Sequence, residues 1–207
     1  MSVDEASRDK TTYGWTDETV QSCAVLTKPV IDILHRRRVR TVLDAGCGNG
    51  ALTAELARHG FEVTGVDGDP QGVAIARRLH PNISFAVSQF DQAPPGQFEA
   101  VVSTEVVEHL YAPHELADYA FAALKPGGVL VLTTPYHGYL KNLALSLLNG
   151  WDAHFTANWC GGHIKFWSRA SITELLEHAG LRVVDFGGAG RLPYLWMSMV
   201  VTAERPR

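Results

Sequence analysis

The chain has 207 residues, 46% of them hydrophobic and 19% charged, with a formal net charge of -4 at pH 7. That size and hydrophobic share suit one globular domain with its own core, residues 1–207, and the acidic balance excludes the broad basic surface that nucleic-acid backbone binding needs. Three widely spaced cysteines, Cys23, Cys47 and Cys160, form neither a disulfide framework nor a Cys-x-x-Cys metal site, and no stretch has the apolar length of a signal core or a transmembrane segment, so a cytoplasmic protein is expected.

Residues 1–12 are polar and read as a tail. Tyr13 and Trp15 interrupt that polarity, and Thr16 or Asp17 can cap a helix that runs to about Arg38 with Val20, Ala24, Thr27 and Ile31 on one side. The tail and this helix, residues 1–38, form one candidate lid over a site; the aromatics serve equally well as packing against the core. The cluster Arg36-Arg37-Arg38 with Arg40 complements the dipole at the helix end.

From Thr41 strands and helices alternate. Strands are expected over Thr41 to Asp44, Phe61 to Val66, Ile83 to Val87, Ala100 to Thr104 and Val129 to Thr133. Helices are expected from Ala51 to His59, Pro70 to Leu79 and Pro113 to Leu124, with Pro70 well placed near a helix start. Near-continuous apolar strands between helices imply a parallel sheet covered on both faces.

Residues 134–167 break this rhythm with a proline, three histidines, three tryptophans and Gly161-Gly162, and read as a cap over a site. Within it, Leu140 to Leu148 is apolar around much of its circumference. Packing over the site is the simplest use of such a surface; a homodimer contact, or a lipid-tailed substrate at a membrane surface, are sharper ones. Ser171-Ile172-Thr173-Glu174 has capping-box form ahead of a helix that Gly180 ends. Two strands, Leu181 to Phe186 and Leu195 to Thr202, close the chain.

The chemistry centres on Asp44-Ala45-Gly46-Cys47-Gly48-Asn49-Gly50, an acid and three closely spaced glycines between a strand and a helix. Such a turn lets a bulky ligand lie against bare backbone. Gly46, Gly48 and Ala51 also satisfy the dinucleotide pattern, and Asp67 stands about twenty residues on, where a ribose-binding acid belongs. Asp44 tips the choice, because a carboxylate beside the turn repels a pyrophosphate and attracts an ammonium or sulfonium.

These residues resemble the class I S-adenosylmethionine (SAM)-dependent methyltransferases, and the ubiquinone-biosynthesis type and related small-molecule enzymes above all. Asp44 to Gly50, then Val66-Asp67, Phe98 to Ser103, and Leu124-Lys125-Pro126-Gly127-Gly128 are similar to the successive motifs of that family over roughly residues 40 to 135. The resemblance implies a Rossmann-like, doubly wound seven-stranded sheet in the order 3-2-1-4-5-7-6 with strand 7 antiparallel. It implies a SAM cofactor held by Asp44, Gly46, Gly48, Asn49 and Gly50 around its methionyl part and by Asp67 and Gly68 at the ribose. Gln89, with Phe90, stands where the family usually has an acid for the adenine amino group, and a glutamine carbonyl can accept the same hydrogen bond. Glu105 completes the cofactor set.

Ligands of open α/β sheets lie beyond the carboxyl ends of the strands. There Glu105-Val106-Val107-Glu108-His109 would, on a helix, point Glu105, Glu108 and His109 together. The element resembles the divalent-metal element of ubiquinone-biosynthesis O-methyltransferases and of small-RNA 2'-O-methyltransferases, and Mg²⁺ accepts such carboxylates. His109 as a general base or a polar contact to the acceptor without metal, and a purely structural role, are the other two readings. On the acceptor side, His137 follows strand 5 directly and joins His109 as a catalytic candidate. Tyr13, Trp15, Tyr136, His163 and Trp167 are candidates for the acceptor pocket. The expected partner is a small-molecule acceptor, most readily an oxygen, without nucleic acid. An RNA-end methyltransferase would use the same element with a further histidine, His137 or His163; a non-catalytic SAM-binding protein and a dinucleotide enzyme are the other readings.

Overall fold

A computed structural model of the chain describes residues 14–17, 21–151, 155, 161–190 and 195–207. Helix α1 (Gln21–Arg36) leads into β1 (Thr41–Ala45), α2 (Ala51–Arg58), β2 (Glu62–Asp67), α3 (Pro70–Leu79), β3 (Ser84–Val87) and β4 (Phe98–Thr104). A 3-10 turn (Val107–His109), α4 (Pro113–Ala123), β5 (Leu124–Pro135), α5 (Tyr139–Leu147), α6 (Arg169–His178), β6 (Arg182–Ala189) and β7 (Ser198–Glu204) follow. The strands form one seven-stranded sheet in the order β3-β2-β1-β4-β5-β7-β6. Strands β1 to β5 pair in parallel, and β7 runs antiparallel between β5 and β6. The sheet order expected from the resemblance is therefore the observed one.

Period-two alternation along the strands splits the core into two layers. Leu43, Val101, Leu130, Leu132, Met199 and Val201 pack on one face with Leu116, Ala120, Ile172 and Leu176. Val42, Ala100, Val102, Val129, Val131 and Val200 pack on the other with Leu26, Val30, Leu34, Leu52 and Leu56. With both faces covered, the strands need apolar residues on each side, which explains their unbroken hydrophobic runs.

Local chemistry sets the helix starts. Asp69 caps α3 by accepting from the Gln71 amide at 2.8 Å, and Pro70 takes the first helical position, where a missing N–H costs nothing. The capping box of α6 uses Ser168 and Ser171 instead of Ser171 and Glu174, so the helix begins earlier than the sequence pattern suggested. A serine at the third helical position returns the same reciprocal bond as a glutamate. The buried side of α1 differs in part from expectation: Ile31 is buried as expected, but Leu26, Val30, Ile33 and Leu34 also face the core and Ala24 is exposed. Four large apolar side chains at helical spacing outweigh the smaller Ala24 and Thr27.

The most visible departure is α5, in which no residue is buried. Tyr139, Leu140, Leu143 and Leu147 are all exposed, so the apolar side chains of this helix are not buried by the packing over the site that was its simplest use. Among the described residues no helix is long and apolar enough to cross a membrane. The expected tail, Tyr13, Val20, His154 and Trp159 lie outside the described residues.

Candidate functional site

The turn between β1 and α2 is left-handed at all three glycines, with φ of 89° at Gly46, 51° at Gly48 and 80° at Gly50. Those angles suit glycine and few other residues, so the spacing is conformational in origin. The amides of Gly46 and Cys47 donate to the Val66 carbonyl at 2.8 and 3.0 Å, locking the turn to the end of β2. Asp67 then receives the Gly48 amide on Oδ2 and the Asp69 amide on Oδ1, both at 2.8 Å. Burial nevertheless raises the Asp67 carboxyl above its usual range, with these backbone donors opposing the rise.

Asp44 is 1% exposed. Its Oδ2 accepts the Thr53 hydroxyl at 2.6 Å, while Oδ1 has no partner among the described residues. Desolvation pushes the carboxyl up to about 7, the Thr53 bond opposing and the nearby Asp67 charge adding to it. Burial also pushes the Cys47 thiol well above its ordinary value, which leaves it inert as a nucleophile.

These groups meet in a cavity of about 260 Å³ at the carboxyl ends of the strands. Asp44, Gly46, Cys47 and Asn49 line it from the first turn, and Asp67, Gly68 and Asp69 from the second. Ser88, Gln89 and Phe90 follow β3, and Glu105, Val106, His109 and Leu110 follow β4. Gln89 donates through Nε2 to the Gly68 carbonyl at 3.2 Å, an orientation that leaves Oε1 as the acceptor for a ligand. Gly48 and Gly50, expected as direct contacts, do not line the cavity. The Trp15 indole covers Gly48, and Gly50 faces Ala76 and Phe85, so both shape the turn from behind.

The element after β4 is not the helix that its spacing suggested. Glu105 adopts φ of 54°, ending the strand in a left-handed kink, and helical turns begin only at Val107. The two carboxylates take different hydroxyl partners. Glu105 stays at the cavity wall, where its oxygens accept the Thr133 hydroxyl at 2.8 Å and the Ser198 hydroxyl at 3.1 Å. Glu108 turns into the protein and accepts the Thr134 hydroxyl at 3.0 Å on Oε2. Its Oε1 is buried without a hydrogen-bond partner among the described residues and lies 4.0 Å from His109 Nε2.

Burial raises the Glu105 carboxyl to about 7 against the pull of its two hydroxyl donors. Glu108 is raised well above the carboxylate range, first by burial and then by the Glu105 charge. Desolvation lowers His109, favouring a neutral ring. The His109 Nδ1 lies 3.2 Å from the Gly162 carbonyl, a geometry that suits an Nδ1–H donor and leaves Nε2 as a lone-pair donor. The amides of Ile164 and Lys165 both donate to the Glu108 carbonyl at 3.0 Å, carrying His163 to within 5.0 Å of the His109 ring, centroid to centroid. Glu108, His109 and His163 can each offer a ligand atom within 4.8 Å of the other two. Among the described residues the compact metal-capable group thus contains His163 in the place expected for Glu105.

Other expected site residues lie elsewhere. His137 stacks on Phe155 and meets the edge of Phe166 at 5.1 Å, in an aromatic cluster outside the cavity wall. Tyr136 packs against Trp196 at 5.2 Å. Trp167 is buried in the same apolar cluster as Ile172 and Leu176 and does not line this cavity. Thr53, Thr133, Thr134, Ser88 and Ser198 were not foreseen as site residues. Only pairing across the sheet brings Ser198 to Glu105, 93 positions away, and nothing local in the sequence announces it.

Comparison with known proteins matches residues 21–185 to the methyltransferase domain family. A ubiquinone biosynthesis O-methyltransferase from Paramagnetospirillum magneticum is 35% identical over 72% of this chain and 61% of its own length. Another protein of that name, from Methylobacterium nodulans, is 30% identical over 80% of this chain and 73% of its own. The chain therefore spans less than two thirds of the first relative. Among solved structures, magnesium protoporphyrin IX methyltransferase from Synechocystis PCC 6803 with bound S-adenosylhomocysteine (SAH) superposes with a TM-score of 0.69. The two are 19% identical, over 87% of this chain and 82% of that one, so the likeness is one of fold. Since the family match runs from α1 into β6 and takes in every strand end around the cavity, the chain belongs to the SAM-dependent methyltransferases.

Proposed function

We propose that the chain transfers the methyl group of SAM to an oxygen of a small-molecule acceptor. The observation that carries this reading is a single cavity joining Asp44 and Asp67, beyond β1 and β2, to Glu105 and His109, beyond β4. The orphaned Asp44 Oδ1 fits a ligand with a cationic amino-acid end, because a buried carboxylate oxygen without a donor invites one. Asp67 suits paired ribose hydroxyls, and Gln89 Oε1 suits an exocyclic amine. SAM brings an electrophilic methyl on a sulfonium. The protein's part is to align the acceptor with that methyl, keep water out, and take a proton.

The neutral His109 Nε2 is our candidate for that proton, with the buried Glu105 carboxyl beside it on the wall. Oxygen is favoured as the acceptor atom by the two relatives, both of them ubiquinone biosynthesis O-methyltransferases by name. A second reading rests on Glu108, His109 and His163: two imidazoles and a carboxylate form a ligand set for a divalent ion, which would position the acceptor oxygen. We take residues 134–167 as the cover of the acceptor side, in one domain with the rest.

Incubating the chain with methyl-labelled SAM and a panel of phenols, amines and carboxylic acids, with and without Mg²⁺, tests both readings. Label on a phenol or carboxylate oxygen is the expected result. Label on amines alone would overturn the oxygen assignment, and no SAH binding by calorimetry would overturn the cofactor site.

A further inference from the structure

We infer that the outer face of α5 is the self-association surface of this protein, and that its occupant is a second copy of the chain related by a two-fold axis. The helix is inverted relative to an ordinary surface helix. Lys141, Asn142 and Leu145 are half-buried and turn toward the protein, where the Lys141 ammonium donates to the Tyr136 carbonyl at 3.0 Å and the Asn142 amide to the His137 carbonyl at 3.4 Å. At about 3.6 residues per turn, Tyr139, Leu140, Leu143, Ala144, Leu147 and Leu148 fill the opposite half of the wheel, and all six are exposed. Polarity points inward and hydrocarbon outward.

The size of the face sets it apart from scattered surface leucines. Tyr139, Leu147 and Leu148 keep 78%, 77% and 81% of their surface in the open. The helix ends where Asn149 turns left-handed, with φ of 49°, and the Gly150 amide donates back to the Leu145 carbonyl at 2.9 Å. Trp151, stacked on Phe155, follows directly and is itself exposed. With large apolar side chains carrying about 150–250 Å² apiece, these exposures amount to on the order of 700 Å² of apolar surface per copy. A protein that stays single rarely carries an apolar patch above a few hundred Å², whereas a stable pair buries about 800 Å² on each partner.

Charge selects the occupant. Residues 138–151 contain no acid and one base, Lys141, which is turned inward. Anionic membranes and nucleic acids draw on lysines and arginines beside the contact, which the helix lacks on this face, and the net charge of -4 opposes both. Two copies meet here without like-charge repulsion, and a two-fold contact asks only that the patch be complementary to itself. Leu140, Leu143 and Leu147 form a ridge at helical spacing that packs into the groove of the same helix running the other way, and the small Ala144 lets the two helices come close.

Sedimentation velocity of the full chain, from about 1 to 100 µM, tests this by mass action. The parent is expected to sediment as a dimer at the upper end, with a melting temperature that rises with concentration. L140E and L147E place a charge on a face that is open in the single copy, so neither removes a core contact. Each should raise the dimer Kd at least about hundredfold, because an unpaired charge would be buried in the pair, and leave the melting temperature of the dilute monomer within about 2 °C of the parent's. A parent that stays monomeric throughout would overturn the proposal, and so would a dimer that survives both substitutions. Were the monomeric parent instead to float with vesicles of phosphatidylcholine and phosphatidylglycerol, and L147E not, the face would belong to a lipid surface and the second copy would be ruled out.

Discussion

The Thr53 hydroxyl donates to Asp44 Oδ2 at 2.6 Å and leaves Oδ1 buried and unpartnered among the described residues, facing the cavity side of the glycine turn. One oxygen is fixed for structure and the other kept for a ligand. Burial without a counter-charge makes the ionised form expensive until a cation arrives.

Asp44→Asn tests that division. The folded carboxyl is held at about 7, above its unfolded value near 3.8, so the folded state binds the proton more tightly. The group's contribution to stability is therefore greatest at acid pH and declines as pH rises from about 4 through 7. The variant loses that decline. Thermal unfolding at pH 8 should show D44N at least as stable as the parent, by on the order of 1–3 kcal/mol, while calorimetry shows SAH binding weakened by a similar amount. A variant that binds SAH as the parent does would remove Asp44 from the site.

Asp67→Ala should weaken SAH by roughly 1.5–3 kcal/mol through the loss of charged acceptors. It also strands the Gly48 and Asp69 amides, so the melting temperature should fall as well. Asp67→Asn, which keeps one acceptor oxygen, should retain part of both. Equal affinity in all three proteins would count against a ribose contact.

Metal removal separates the two readings of the acceptor side. With an ion at Glu108, His109 and His163, EDTA should abolish turnover and leave SAH affinity unchanged, and E108Q or H163A should reproduce that loss. Turnover that persists in EDTA assigns the proton to His109 alone, and activity should then follow His109 ionisation, falling as pH drops below its lowered pKa.

Two glycines should respond differently to alanine. At Gly65 a Cβ would lie 2.6 Å from Phe85 Cδ1 and 3.0 Å from Cys47 Sγ, so G65A overpacks the seam between β2 and β3 and should cost about 1–3 kcal/mol. At Gly187 nothing lies within 4 Å and φ is not positive, so G187A should be within about 0.5 kcal/mol of the parent. Denaturant unfolding of the pair measures the difference, and a neutral G65A would show that Phe85 yields.

The sequence by itself determined the alternation of strands and helices, the left-handed glycine turn and the acid ending β2. Each of these is written locally: apolar runs with turn residues between them, glycines where φ must be positive, and Asp67 one strand beyond the turn. Tertiary structure decided the acceptor side. The spacing of Glu105, Glu108 and His109 fits one helix face, but pairing of β4 with β5 and β5 with β7 brings Thr133 and Ser198 to Glu105, whose backbone turns left-handed there, while Glu108 takes the Thr134 hydroxyl. The same long-range packing sent His137 into an aromatic cluster and Trp167 into the core, and brought His163 to His109. Periodicity reports which side of an element is apolar, whereas the partner of a polar side chain depends on strands far apart in the chain.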